Sequence, residues 1–381
     1  MLFSLTAEQQ QVREAVRAFA NERVRPGAAA RDRAGVCDLD LIREVGGLGF
    51  IGVTVSPEFG GTGMDWVSAA LVMEELARAD ASLGLSLAGY GLAVSHLAMR
   101  GTDEQKRRFL PDLIAGRKIG AWAMTEPSAG SDSAAIETTA TRDGDDWRLS
   151  GEKSFTTMGT HADVYVAMAV TTPEAGTKGI TAFLVERGID GVIPGQPMHK
   201  LGCRSSDTSG VVFDQARVPV ANVLGEVDAG FRDAMLALNR GRTMVGAFSV
   251  GVAQSAFQEA LRYAQERRSM GHRLADHQAI QHKLAEMAVS LDAARLLVYR
   301  AAALLDDGQE PRREAASAKL FASETAVRVA YEALQIHGGY GYTSEFPIER
   351  IYRDARVCTI GEGTSEIMRM VIARDMLRNA P

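Results

Sequence analysis

At about residue 121 the chain changes texture, and few folds accommodate the change. From there to about residue 225, apolar residues stop recurring at helical spacing and break into short runs rich in β-branched side chains. Trp147–Ser150, Val164–Val170, Ile180–Val185 and Val211–Phe213 are such runs, divided by turn-forming clusters at Asp143-Gly144-Asp145 and at Gly188–Pro194. Short β-rich runs between turns predict a small antiparallel β domain. Helical signals lie on both sides of it. Thr6 with Gln9 forms a capping-box pattern, and Val12, Val16, Phe19 and Val24 recur at helical spacing. A turn-rich loop at Ser56–Gly63 precedes a helix through Met73–Leu76, and Thr102 with Gln105 repeats the cap. Beyond Gly230, helical periodicity returns over 230–268, 275–306, 313–337 and 365–378. Connections as short as Asp306–Pro311 suit antiparallel neighbours in a bundle. The predicted layout is α+β in three domains: N-terminal helices (1–120), a β domain (121–225) and a C-terminal antiparallel four-helix bundle (226–381).

Composition agrees. An apolar content of 46% with only 6% aromatic residues suits an Ala- and Leu-rich helical protein with an ample core. A formal charge of −6 argues against a general nucleic-acid binder. Cys37, Cys203 and Cys358 are widely spaced, with no metal or disulfide pattern, which fits a reducing compartment. The N-terminal residues lack the basic start and apolar run of a signal peptide. No stretch of about 18 residues reads as apolar enough to span a bilayer. The expectation is a cytoplasmic protein without nucleic-acid or membrane partners, and no metal is expected.

The most suggestive stretch lies near the C-terminus, where Gly361-Glu362-Gly363-Thr364 precedes an apolar helix. Glycines let the backbone bend and pass close to a ligand. Two readings stand for Glu362: a solvated loop carboxylate, the ordinary fate of Glu, or an acid reaching into a cleft. Gly338-Gly339 offers a second point of close approach, and His337 beside it reads as a helix-end histidine complementing the dipole. Ser128-Ala129-Gly130-Ser131-Asp132 supplies hydroxyls and free N–H groups, equally a decorated turn or a ligand surface. The chain has no Rossmann or P-loop fingerprint.

From Gln335 to Arg374 the chain resembles the C-terminal signature of the acyl-CoA dehydrogenase family. Ala121-Trp122-Ala123-Met124-Thr125-Glu126-Pro127-Ser128-Ala129-Gly130-Ser131-Asp132 resembles that family's flavin-contacting segment. The similarity runs from about Leu5 to Arg378. The resemblance implies FAD-dependent α,β-dehydrogenation of an acyl-CoA thioester, with Glu362 as α-proton base and flavin N5 as hydride acceptor. It implies that Trp122, Met124, Thr125, Gly130 and Ser131 contact the flavin, Ser131 facing the substrate too, and that Phe155-Thr156-Thr157 lies at the ring. Phe155 stands where the family has tryptophan, which removes an indole donor. Arg267 and Met270 match a pyrophosphate-binding segment, with methionine for the family's phenylalanine. Gln278, Gln335, Gly339, Thr364 and Glu366 match further cofactor positions, some serving a neighbouring subunit. The implied assembly is a homotetramer passing electrons to an electron-transferring flavoprotein.

The resemblance also implies that the thioester oxygen is held by the base's own N–H and a flavin hydroxyl, stabilising the developing enolate. Substrate contacts fall on Ser131, Asn239, Arg242 and Gly363. Some relatives carry the base on an upstream helix. Here Gly241 stands at that position, which leaves Glu362 as the base within the resemblance. Asn239 replaces an aspartate, so an acyl-carrier-protein thioester stays open as substrate. Tyr90 and Met99 match the far end of the acyl pocket, but the residues themselves read as ordinary core residues. An oxidase or monooxygenase on the same scaffold is the competing enzyme reading. A flavin-holding, nucleic-acid-associated relative is opposed by the acidic balance.

Overall fold

Helix α1 (Ala7–Phe19) opens with the predicted capping box: the Gln9 N–H donates to Thr6 Oγ1, and the Thr6 N–H donates to Gln9 Oε1. The computed structural model describes residues 4–378. After α1 the chain passes through tight turns into α2 (Ala28–Ala34), α3 (Leu39–Gly47), α4 (Trp66–Ala79), α5 (Ala81–Arg100) and α6 (Asp103–Ile114). The cap at Thr102 and Gln105 also forms. Gln105 Nε2 then donates to the Ala221 and Val223 carbonyls, each at 2.8 Å, so the cap ties α6 to the β region.

Eight strands follow: β1 (Gly120–Ala123), β2 (Thr139–Asp143), β3 (Asp146–Thr157), β4 (Val164–Val170), β5 (Ile180–Glu186), β6 (Val192–Pro194), β7 (Thr208–Pro219) and β8 (Val223–Leu224). They form one sheet in the order β6-β7-β3-β2-β4-β5-β8, with β1 also beside β4. The expectation of a purely antiparallel domain needs correction, because β1 and β2 both pair with β4 in parallel. Parallel pairing requires a crossover rather than a hairpin. The chain returns to β4 by way of β3, while the 124–138 segment, which carries the Thr125–Asp132 turn, links β1 to β2, and the two strands pair with opposite ends of β4. Strands β4 and β5 are buried along almost their whole length. One face packs Trp147, Tyr165, Phe183 and Phe213 together, and the other faces the helices. Burial on both faces explains why they read as continuous apolar runs.

The C-terminal region holds α7 (Gly230–Glu266), a small hairpin of β9 (Arg268–Ser269) and β10 (His272–Arg273), α8 (Gln278–Asp306), α9 (Arg312–His337), α10 (Ile348–Ala355) and α11 (Ser365–Arg378). Alanines line the facing surfaces, among them Ala253, Ala256 and Ala260 of α7 and Ala318, Ala322 and Ala326 of α9, all fully buried. Such short side chains let helices approach closely. On its other side α7 meets α4, where a Cβ at Gly251 would lie 2.3 Å from the Glu74 carbonyl. Thus α7 belongs to the bundle and also carries the N-terminal helices. Helix α5 is long and apolar enough to cross a membrane by length and composition, contrary to the sequence expectation. Most of it is buried between α4, α7 and the sheet, which accounts for its apolarity.

Candidate active site

The turn between α10 and α11 presents Glu362 in the left-handed region, at φ 53°. For a residue with a Cβ this conformation costs about 1–2 kcal/mol. Thr364 begins the next helix, its Oγ1 accepting from the Ile367 N–H at 3.3 Å. The Glu362 residue is partly exposed, yet its Oε2 is sealed from solvent and has no hydrogen-bond partner. Gly241 of α7 lies against this oxygen: a Cβ there would sit 2.4 Å from Oε2 and 3.1 Å from Leu92 Cδ1. Positions 241 and 362 therefore address one point, and a side chain at 241 would displace the carboxylate. Burial pushes the Glu362 carboxyl up to about 7, while the charges of Arg242 and Lys319 hold it down. Arg242 is itself buried; its Nη1 donates to Asn239 Oδ1 at 3.3 Å, and its Nε has no partner. Lys319 of α9 donates from Nζ to the Gly363 carbonyl at 2.6 Å.

An apolar cavity begins at Gly241 and runs between α4, α5 and the 50–55 loop. It offers about 80 Å³ to the centre of a water molecule, and Phe50, Trp66, Leu76, Leu87, Gly91 and Leu92 are among its walls. A Cβ at Gly91 would meet nothing within 4 Å, so this glycine keeps the space open. Leu92 also packs in one small cluster with Leu238, Met99 and Trp122 of β1. Leu92 therefore lies between Gly241 and the β region.

Two segments of the β region are held side by side. The Ser154 N–H donates to the Thr125 carbonyl at 2.8 Å. Beneath them, buried Lys153 donates to Glu126 Oε1 at 2.6 Å, and the Glu137 and Thr138 N–H groups donate to the same carboxylate. A bulge in the β3–β7 ladder between Lys153 and Thr156 turns Phe155 outward, at φ 53° and 68% exposed. Bulges re-aim side chains in this way.

Three family models match in order: the acyl-CoA dehydrogenase N-terminal domain over 6–117, the middle domain over 121–216 and the C-terminal domain over 228–377. The chain belongs to the acyl-CoA dehydrogenase family. A probable acyl-CoA dehydrogenase of Bacillus subtilis, YngJ, is 42% identical over 99% of this chain and 100% of its own length. The CarC subunit of the caffeyl-CoA reductase–Etf complex of Acetobacterium woodii is 42% identical over 91% of this chain and 92% of its own. The solved butyryl-CoA dehydrogenase of Megasphaera elsdenii superposes with a TM-score of 0.97 at 39% identity, over 99% of this chain and 100% of its own. The enzyme is accordingly an FAD-dependent oxidoreductase acting on CH–CH bonds.

The residues of this acyl-CoA dehydrogenase fit such a cofactor. Ser131 and Gly130 are exposed on the turn, and a Cβ at Gly130 would meet nothing within 4 Å. Thr156 Oγ1 is buried without a partner, next to outward-facing Phe155. Trp122 is half-buried and Met124 fully so, with Thr125 between strand and turn. The Ser154–Thr125 hydrogen bond sets these two segments side by side. A second set lies elsewhere on the surface: Arg267, Met270, Gln278, Gln335 and Gly339 are all exposed. Arg267 stands over the Tyr340 ring, 5.6 Å from guanidinium carbon to centroid, which brings it to the Gly338–Tyr342 turn. Met270 is 90% exposed, a large cost for an apolar side chain facing water alone. Thr364 and Glu366 sit at the start of α11.

Some expectations shift in the acyl-CoA dehydrogenase fold. His337 ends α9 but is buried there: it stacks on Tyr263 at 4.2 Å, its Nδ1 bonds the Ala333 carbonyl at 2.7 Å, and burial pulls its basicity down. Tyr90 is the core residue that its sequence suggested, its one hydroxyl hydrogen shared between the Leu113 and Lys118 carbonyls. Met99 packs beside Arg240, not at the cavity end. Asn239 is buried and orients Arg242. Sequence reasoning also passed over Gly91, His96 and Lys319. His96 Nδ1 accepts from Trp122 Nε1 at 3.2 Å, and burial drives its pKa to about 4, so it is neutral. Lys319 had a readable signal, since it lies on the stripe of Ala315, Ala318, Ala322 and Ala326 that α9 buries.

Proposed function

We propose that this chain desaturates an acyl-CoA between Cα and Cβ, with Glu362 taking the α-proton. One observation carries the reading: a carboxylate oxygen sealed from water and without a partner, lying against Gly241, which lines an apolar cavity. A hydrated carboxylate, with a pKa of about 4.3, is a poor match for a weakly acidic C–H. Loss of hydration raises its basicity, the direction found for Glu362. The free Nε of Arg242 and the Asn239 beside it would hold the thioester end, with Gly363 close by. The cavity takes the acyl tail and keeps water from the base. Bound FAD supplies the acceptor for the hydride leaving Cβ. Trp122, Met124, Thr125, Gly130, Ser131 and Phe155–Thr157 would hold it from one subunit. Arg267, Met270, Gln278, Gln335 and Gly339 would serve a neighbouring copy, with Thr364 and Glu366 near the base. Exposed Val289, Leu296 and Tyr331 on the C-terminal helices support a homotetramer. The Etf-complex relative supports an electron-transferring flavoprotein as acceptor.

The test is anaerobic mixing of the yellow holoenzyme with straight, branched and aromatic acyl-CoAs, and with a carrier-bound acyl set. At least one acyl-CoA is expected to bleach it; colour that survives the whole panel ends the reading. The rate should depend on pH in a defined direction. Glu362 accepts a proton only when ionised, so reduction is expected to accelerate as pH rises through about 7 and then level off. A flat profile between pH 6 and pH 8 would count against the assignment. Filling the cavity should act on chain length. Gly91→Phe is expected to slow reduction by long straight acyl-CoAs about tenfold or more while sparing short ones, read from chain-length profiles of both proteins.

A further inference from the structure

Beneath the Gly361–Gly363 turn lies a cation that the sequence motifs leave unexplained. Lys319 is 0% exposed on α9, and its Nζ reaches the Gly363 carbonyl at 2.6 Å. An ammonium has three donors, and burying one is costly unless charge compensates it. The charged and titratable groups around the turn come from every packed element. Arg242 approaches from α7, and Arg312 at the start of α9 acts on it; Cys358 precedes the turn, and Glu366 on α11 is exposed. From α5, apolar Leu92 lies against Gly241. Burial pushes the Cys358 thiol up to about 11, so it stays neutral. Glu362 is thus the buried carboxylate among these groups. When it is protonated, Arg242 and Lys319 stand as two buried like charges; when it is ionised, one of them is compensated.

We propose that Lys319 is a positioning residue for Glu362: it holds the turn through the Gly363 carbonyl and stabilises the negative charge that Glu362 carries as a base. Its effect on turnover rests on the reading of Glu362 given above; its electrostatic effect on the carboxylate does not. Burial pulls Lys319 itself down to about 8, so its influence fades in alkaline solution and the two groups titrate as a coupled pair.

The experiment uses FAD-loaded wild type, Lys319→Met, Lys319→Gln and Lys319→Arg. Without substrate, the infrared carboxyl band of Glu362, assigned by its loss in Glu362→Gln, is followed against pH. In parallel, anaerobic flavin reduction by an acyl-CoA is followed against pH. In Lys319→Met both titrations are expected to move up by about one pH unit. Reduction should then fall about tenfold on the acid limb and return to within about twofold of wild type near about pH 9. Lys319→Arg should keep both titrations in place. Lys319→Gln retains a donor without the charge, should shift like methionine, and serves if the methionine variant does not fold. A carboxyl band that titrates unchanged in the neutral variants, or a rate loss equal at every pH, reduces Lys319 to packing and overturns the proposal. A band that shifts while no acyl-CoA bleaches even the wild type leaves Lys319 in its place and removes Glu362 as the base.

Discussion

Glu362→Gln is expected to remain yellow while its anaerobic reduction by acyl-CoA slows by about 10³-fold or more, within reach of what removal of a positioned base costs. The amide has the carboxylate's shape but cannot accept the α-proton. Folding should survive, and the sign follows from linkage. The folded carboxyl titrates near about 7, above its unfolded value of about 4.3. Its contribution to stability is therefore full below the lower value and is lost as pH rises through the upper one. At pH 8 the glutamine variant should be at least as stable as wild type, because it buries no charge. Stopped-flow reduction and urea unfolding on the same preparation check both claims. Reduction at an undiminished rate would remove Glu362 from the role; a colourless, unfolded variant would show that the turn depends on the charge.

Lys153→Met is expected to cost about 3 kcal/mol of stability and to loosen FAD, because it strands a buried carboxylate. Lys153 and Glu126 are both buried and meet at 2.6 Å. Burial opposes the Glu126 charge, yet Lys153 and the two backbone donors hold its pKa below the ordinary range. Without the lysine, two N–H groups would have to carry that charge alone. Glu126 also anchors the turn that exposes Gly130 and Ser131, and Ser154 next to Lys153 ties that turn to Phe155. The defect should therefore reach the cofactor surface. Urea unfolding of the apoprotein and FAD release on dilution measure the two effects. Adding Glu126→Gln should restore part of the stability, since a neutral pair strands no charge. An unchanged unfolding midpoint with full FAD retention would contradict this account.

The α+β layout could be read from periodicity because periodicity is local: a run of β-branched residues, a capping pair and a helical stripe are each written within a few turns of chain. Thr6 and Gln9 settle one helix end by themselves. The glycines around Glu362 likewise marked a turn, and Glu362 and Gly363 both adopt positive φ there. Pairing direction was not local. Strands β1 and β2 lie parallel to β4 because of a crossover, and nothing within either strand records that.

Electrostatic character was least legible, for a physical reason. Whether a charge is costly depends on what excludes water from it, and those neighbours come from distant parts of the chain. Burial makes Glu362 more basic, and Arg242 of α7 and Lys319 of α9 restrain it. The same burial makes His96 neutral, draws His337 down and sets a lysine on an alanine stripe against the Gly363 carbonyl. The amino-acid order chose the elements, their ends and the carboxylate between its glycines. Only the packing of those elements decided which charges left water, and so which groups can act as bases.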